Sequence, residues 1–118
     1  TRSDRDWSSD VCSSDLPLVM VMGHSSCGAV TAVAQGVKLS GHIASLTPSI
    51  DAALKKTKGL EGHWTNNAAK ELAVTTARKI EESEPIVADL VKEGRVLVVA
   101  TYYDLESGEV SMLSQGIF

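Results

Sequence analysis

The stretch that most restricts the fold runs from Leu18 to Val30 and reads LVMVMGHSSCGAV. Pro17–Met22 is apolar at every position, which predicts a strand buried on both faces of a parallel sheet. Gly23–Ser26 is a turn. Cys27–Gln35 then reads as a short helix of small side chains, with Gly36 where a C-cap glycine belongs. A strand that passes through a tight turn straight into a helix points to an α/β architecture.

The rest of the chain continues that pattern. Ile43, Leu46, Ile50, Ala53 and Leu54 fall at helical spacing, and Pro48 predicts two short helices or one broken there. Lys55–Gly62 is polar and reads as a loop. A long helix is expected from a cap at Thr65 or Asn66 toward Ser83, with Ala69, Leu72, Ala73, Thr76, Ala77 and Ile80 on one stripe. Ser83 is the expected N-cap of the next helix, with Pro85 in its first turn. Ile86, Val87, Leu90 and Val91 form its expected buried face, and Gly94 ends it. Residues 95–104 predict the second strand. Ser107 and Gly108 turn the chain, and Glu109–Leu113 alternates as an antiparallel edge strand. The expected fold class is therefore α/β, a mostly parallel sheet with flanking helices and an antiparallel edge strand. Two parallel strands leave apolar edges unpaired, so the pattern reads as the second half of a doubly wound domain, truncated at its N-terminal side.

Residues 1–16 differ from everything after them. Ser, Asp and Arg dominate, and no helical or strand periodicity is visible. The segment reads as a polar tail. More sharply, it resembles the conceptual translation of sequencing-adapter DNA, in which case the native sequence begins near Pro17. The expected organisation is a non-native tail over 1–16 and the C-terminal part of a single domain over 17–118. Cys12 and Trp7 are accordingly set aside as ligand and core residue.

Composition excludes several function classes. Hydrophobic residues make up 43% and charged residues 22%, ordinary globular proportions. The net charge of −4 argues against nucleic acid or an anionic membrane as partner, since both need clustered Lys and Arg. No apolar run approaches the roughly 20 residues of a membrane helix, and no secretory apolar region is visible. Two cysteines do not make a disulfide framework, and metal or catalytic use fits them better. The cytoplasm is the default compartment.

In α/β sheets, ligands gather where strand ends turn into helices. His24 and Cys27 stand at such a place, and both residue types ligate zinc well. Ser25 and Ser26 bend the chain so that the two side chains can reach one ion. Gly28 permits close approach of a ligand to backbone and opens a helix whose free N–H groups suit an anion. On spacing alone, the pair serves equally as a capping histidine and a small core cysteine. The strand-end position favours the metal, yet one His and one Cys are half of a zinc site.

The block Gly23–Val30, preceded by an apolar strand, closely resembles the zinc-binding segment of β-class carbonic anhydrases. Asn67 with its long helix, Ser83–Val87, Leu90–Gly94 and Val98–Val110 resemble that family's C-terminal half, so the likeness covers essentially Pro17–Leu113. The resemblance implies Zn2+ held by two cysteines and one histidine, with His24 and Cys27 as two of the three ligands. It also implies that Gly28 offers its backbone N–H to a substrate oxygen. The remaining ligand belongs to an upstream Cys-x-Asp-x-Arg motif that this sequence lacks. Cys12 is followed by Ser, Ser, Asp and Leu and does not match its offsets. The family's Asp/Arg pair is absent with it. The implied reaction is reversible hydration of CO2 to bicarbonate by a zinc-activated water. The implied assembly of the complete protein is a homodimer or higher homo-oligomer, and this chain alone is expected to be inactive. Two alternatives stand beside it: a zinc hydrolase of carbonyl sulfide or a related small molecule, and a catalytically dead structural remnant.

Other candidates carry less. His42 and His63 lack a Cys, His or Asp neighbour at ligand spacing and read as surface or capping residues. Asp104 reads as a turn residue before Ser107 and Gly108 rather than a general base. Lys55, Lys56 and Lys58 read as a solvated face, and Tyr102 and Tyr103 as residues packed on the sheet.

Overall fold

The computed structural model describes residues 17–114. The 1–16 segment, with Cys12 and Trp7, lies outside the described residues. Strand β1 (Leu18–His24) pairs in parallel with β2 (Leu97–Tyr103), Leu18 opposite Leu97 and His24 opposite Tyr103. Strand β3 (Val110–Ser114) runs antiparallel to β2, so the sheet order is β1-β2-β3. This is the expected α/β arrangement with an antiparallel edge. The β2–β3 connection closes on a bond from the Gly108 N–H to the Asp104 carbonyl at 2.8 Å, and Gly108 takes the positive φ of 77° that the turn requires.

Helices α1 (Gly28–Ala34), α2 (Thr47–Thr57), α3 (Trp64–Glu81) and α4 (Val87–Lys92) connect the strands, with a 3-10 segment over Gly41–Leu46 ahead of α2. Pro48 does break the helical run, as its ring and missing N–H require; it sits in the first turn of α2. The long helix α3 buries a stripe of alanines, Ala68, Ala69, Ala73 and Ala77. Small side chains on that face let the helix backbone come close to the sheet. Two clusters result. Ala73, Ala77 and Val91 pack with Val98 and Ala100 of β2, and Val19 and Val21 of β1 complete that layer. Val30, Ile50, Ala53, Leu54 and Ala68 join α1, α2 and α3, and Cys27 packs against them. Lys70 on α3 places Nζ 4.8 Å from the centre of the Tyr102 ring, a cation–π contact between helix and sheet.

Several expectations need correction. β1 is not buried on both faces. Val19 and Val21 meet α3, whereas Leu18, Met20 and Met22 on the opposite face are 53%, 46% and 46% exposed. Neither Thr65 nor Asn66 caps α3: its N-cap is His63, with no side-chain cap bond. Lys55–Thr57 is helical rather than loop, because Leu54 and Thr57 are buried and Thr57 bonds back to the Ala53 carbonyl. Ser83 does not cap α4 through its side chain; the N-cap is Ile86, and Ser83 contributes its carbonyl to the Ala88 N–H at 2.8 Å. Ile86 is 67% exposed, and Ala88 replaces it on the buried face. Among the described residues, no helix is long and apolar enough to cross a membrane.

Candidate metal centre

His24 is the last residue of β1, and Cys27 is the N-cap of α1. The two candidate ligands thus share one turn at the C-terminal end of the first strand, where α/β sheets collect ligands. His24 is exposed, and its Nδ1 lies 2.9 Å from the Ser25 carbonyl. A carbonyl only accepts, so Nδ1 donates this bond and Nε2 is the ring nitrogen left for another partner. That is the arrangement a metal-ligating imidazole needs, with a carbonyl fixing the ring. Cys27 is a free, half-buried thiol. Its carbonyl takes bonds from the Thr31 N–H at 3.0 Å and the Thr31 hydroxyl at 2.8 Å, which ties it to α1.

The turn between them is held from two sides. Ser25 is buried, 6% exposed, and its N–H extends the parallel ladder to the Tyr103 carbonyl at 3.0 Å. The Ser25 hydroxyl accepts from the Leu105 N–H at 2.9 Å and donates to Asp104 Oδ1 at 3.5 Å. Ser26 has a positive φ of 55°, and its N–H donates to Asn66 Oδ1 on α3 at 3.1 Å. Asp104 therefore does more than turn the chain, since it also reaches Ser25 in the turn between His24 and Cys27. The Ser107 hydroxyl at 2.9 Å and the Glu106 N–H hold its carboxyl below the ordinary carboxylate value. Burial pushes the Tyr102 phenol up, against a hydrogen bond with Ser25 and reinforced by the Asp104 charge.

A cleft of about 670 Å³ opens beside the turn, lined by Ser26, Gly28, Thr31, Gln35, His63 and Trp64 among others. Gly28 is exposed there, and a Cβ added at Gly28 would meet no atom within 4 Å. Neither His24 nor Cys27 is among the residues lining the cleft. His63 holds its ring against the Thr65 hydroxyl at 2.9 Å, and His42 lies in the 3-10 segment. Lys55 and Lys56 pair with Asp51 at 3.2 Å and Glu71 at 3.1 Å, consistent with a solvated helix face. The sequence pointed to Asn66 only as a helix cap and to Ser25 only as part of the bend, and it missed the distant partners of both. No spacing rule connects Asn66 to a turn 40 residues earlier.

The donors fit zinc in kind: an imidazole whose Nδ1 is turned to a carbonyl, which leaves Nε2 for a metal, and a cysteine thiol, which ligates as the thiolate. They fall short in number. Among the described residues, no group of three or more His, Cys, Asp or Glu could hold a metal ion.

A family model described as carbonic anhydrase matches residues 10–110. The chain belongs to the β-class carbonic anhydrase family. The fold of this carbonic anhydrase chain agrees with solved members. The β-carbonic anhydrase CcaA superposes with a TM-score of 0.63 at 20% identity, over 87% of this chain and 49% of that one. CafD of the filamentous fungus Aspergillus fumigatus gives 0.63 at 12% identity, over 89% of this chain and 61% of that one. One of two tetrameric β-carbonic anhydrases of the ascomycete Sordaria macrospora gives 0.61 at 13% identity, over 90% and 56%. The carbonic anhydrase chain thus spans about half to three-fifths of the length of these neighbours. A search of curated proteins finds no match.

Proposed function

We propose that this chain supplies two of the protein ligands, His24 and Cys27, of a zinc-dependent carbonic anhydrase centre that interconverts CO2 and bicarbonate. The observation that carries this reading is the His24 ring. Its Nδ1 is committed to the Ser25 carbonyl at 2.9 Å, which leaves Nε2 as a donor three residues before a free cysteine, in a member of the carbonic anhydrase family. Zinc bound there supplies Lewis acidity that makes water a competent nucleophile near neutral pH. The chain's own residues present and orient the donors: Ser25 fixes the imidazole, and Thr31 ties Cys27 to α1. Gly28, exposed beside the cleft, is the residue positioned to offer a backbone N–H to a substrate oxygen.

A third ligand must come from outside residues 17–114, because catalytic zinc sites carry three protein ligands and this stretch offers two. The half-exposed face of Leu18, Met20 and Met22 supports a further layer of polypeptide over β1, since apolar surface of that kind is ordinarily covered. The tetrameric Sordaria relatives support a homo-oligomer for the complete protein. The low cysteine content supports a reducing compartment such as the cytoplasm.

Metal analysis after equilibrium dialysis against zinc tests the ligand assignment. Retained zinc that falls in both His24→Ala and Cys27→Ala, with the fold intact by circular dichroism, supports it. Retention unchanged in both variants overturns it.

A further inference from the structure

Of the residues between the two candidate ligands, Ser26 is the one held in an unfavourable state. Its φ of 55° is left-handed, where a side chain bearing a Cβ crowds the backbone. Ser26 is exposed, so packing does not impose that conformation. Its backbone is instead fixed by one side chain from elsewhere: the Ser26 N–H donates to Asn66 Oδ1 at 3.1 Å. The donor is an N–H, so the amide oxygen must face it, and the orientation of the Asn66 amide is settled. Asn66 itself has a firm base. It lies in the first turn of α3, the helix whose Ala69 carbonyl stands against Gly23, and the neighbouring Asn67 bonds the Glu61 carbonyl at 2.8 Å.

A change of φ at Ser26 rotates Cys27 and α1 relative to His24, because the rotation acts on everything after that bond. His24 is anchored through Ser25 to the β2–β3 loop, and Cys27 is anchored to α1. The placement of Cys27 relative to His24 therefore depends on the backbone at Ser26. Resting on the zinc-ligand reading above, we propose that Asn66 is a positioning residue: it holds Ser26 left-handed so that His24 and Cys27 present their donors to one metal ion. It touches no metal or substrate, and a residue in that position normally changes metal affinity by orienting ligands.

The test uses the full 118-residue chain and cobalt(II) alone as probe, read by the thiolate-to-cobalt charge-transfer absorbance. A second readout, on the metal-free chain, is the hydrogen exchange of the Ser26 amide. Asn66→Ala is expected to speed that exchange and to weaken cobalt binding about tenfold, the lower end of the range for such orienting partners. Alanine suits a helix, so α3 survives. Asn66→Asp keeps the acceptor oxygen and is expected to restore both readouts. Unchanged Ser26 exchange in Asn66→Ala overturns the proposal without reference to any metal. Cobalt binding that needs Cys27 but ignores Asn66→Ala overturns the positioning role and leaves the ligand reading standing. Cobalt binding that ignores Cys27→Ala and His24→Ala overturns the ligand reading, and the positioning role falls with it.

Discussion

Gly23 and Ala69 meet so closely that a Cβ at residue 23 would stand 2.8 Å from the Ala69 carbonyl oxygen and 3.5 Å from the Ala73 Cβ. The obstacle is helix backbone, which cannot swing aside like a flexible side chain. This contact brings α3 onto the end of β1 one residue before His24, close to where Asn66 meets Ser26. Gly23→Ala is expected to destabilise the chain by about 1–3 kcal/mol through overpacking. Urea denaturation reads this as a lower midpoint at unchanged slope. A midpoint equal to wild type would show that α3 is not seated on Gly23.

Ser25 is a buried hydroxyl that answers two groups on the β2–β3 loop, the Leu105 N–H at 2.9 Å and the Asp104 carboxylate at 3.5 Å. Ser25→Ala leaves the Leu105 N–H without its partner. The expected cost is about 1–3 kcal/mol, the range for a donor left unsatisfied. Faster amide exchange at Leu105, with exchange in the middle of α3 changed only by the global loss, is the signature. Uniform acceleration across the chain would assign the effect to general loosening instead.

The pH dependence of stability has two limbs with opposite signs. Asp104 has a folded pKa below the ordinary carboxylate value, chiefly through the Ser107 hydroxyl. The folded state therefore binds that proton less readily than the unfolded state. Its stabilisation is complete above the unfolded value and is lost as pH falls through the folded one. Tyr102 is raised above 10.0 by burial, so its contribution is complete below that value and lost as pH rises through the folded value. Thermal melts across pH should show the acid limb shallower in Asp104→Asn and the alkaline limb shallower in Tyr102→Phe. Limbs of unchanged steepness would assign the pH dependence to other groups.

The strand-turn-helix order was legible because each step has a local cause: an apolar run at Leu18–Met22, a glycine and two serines in the turn that follows, and small residues at Gly28–Ala34. The placement of His24 and Cys27 around one turn at a strand end was legible for the same reason, since three residues of spacing need no tertiary information. The misreadings arose where partners are distant. Asn66 was read as a cap from its place at a helix start, but its amide is drawn to Ser26, 40 residues away. Asp104 was read as a turn residue, which its bonds to Ser107 and Glu106 justify, while its tie to Ser25 depends on the parallel register of β1 and β2. The burial of β1 was misjudged because an unbroken apolar run specifies what each face can bury, not whether anything packs there. Leu18, Met20 and Met22 form the face that α3 does not cover.

The ligand count leads to a prediction about catalysis by this chain. Acidifying a water enough to make it a nucleophile near pH 7 requires zinc held by three protein ligands with a fourth position open. Residues 17–114 supply His24 and Cys27 and no third donor grouped with them. Zinc held by two protein donors keeps more water in its coordination shell than a three-ligand catalytic site does, and its waters stay closer in acidity to those of aqueous zinc. The purified chain with equimolar zinc is therefore expected to hydrate CO2 at the rate of a zinc and buffer blank in stopped-flow assays with a pH indicator. A rate clearly above that blank, abolished by His24→Ala and by Cys27→Ala, would show that a third ligand is recruited after all, from residues outside 17–114 or from a second copy. Dependence of the specific rate on protein concentration separates those two sources, because a ligand borrowed from another copy is lost on dilution.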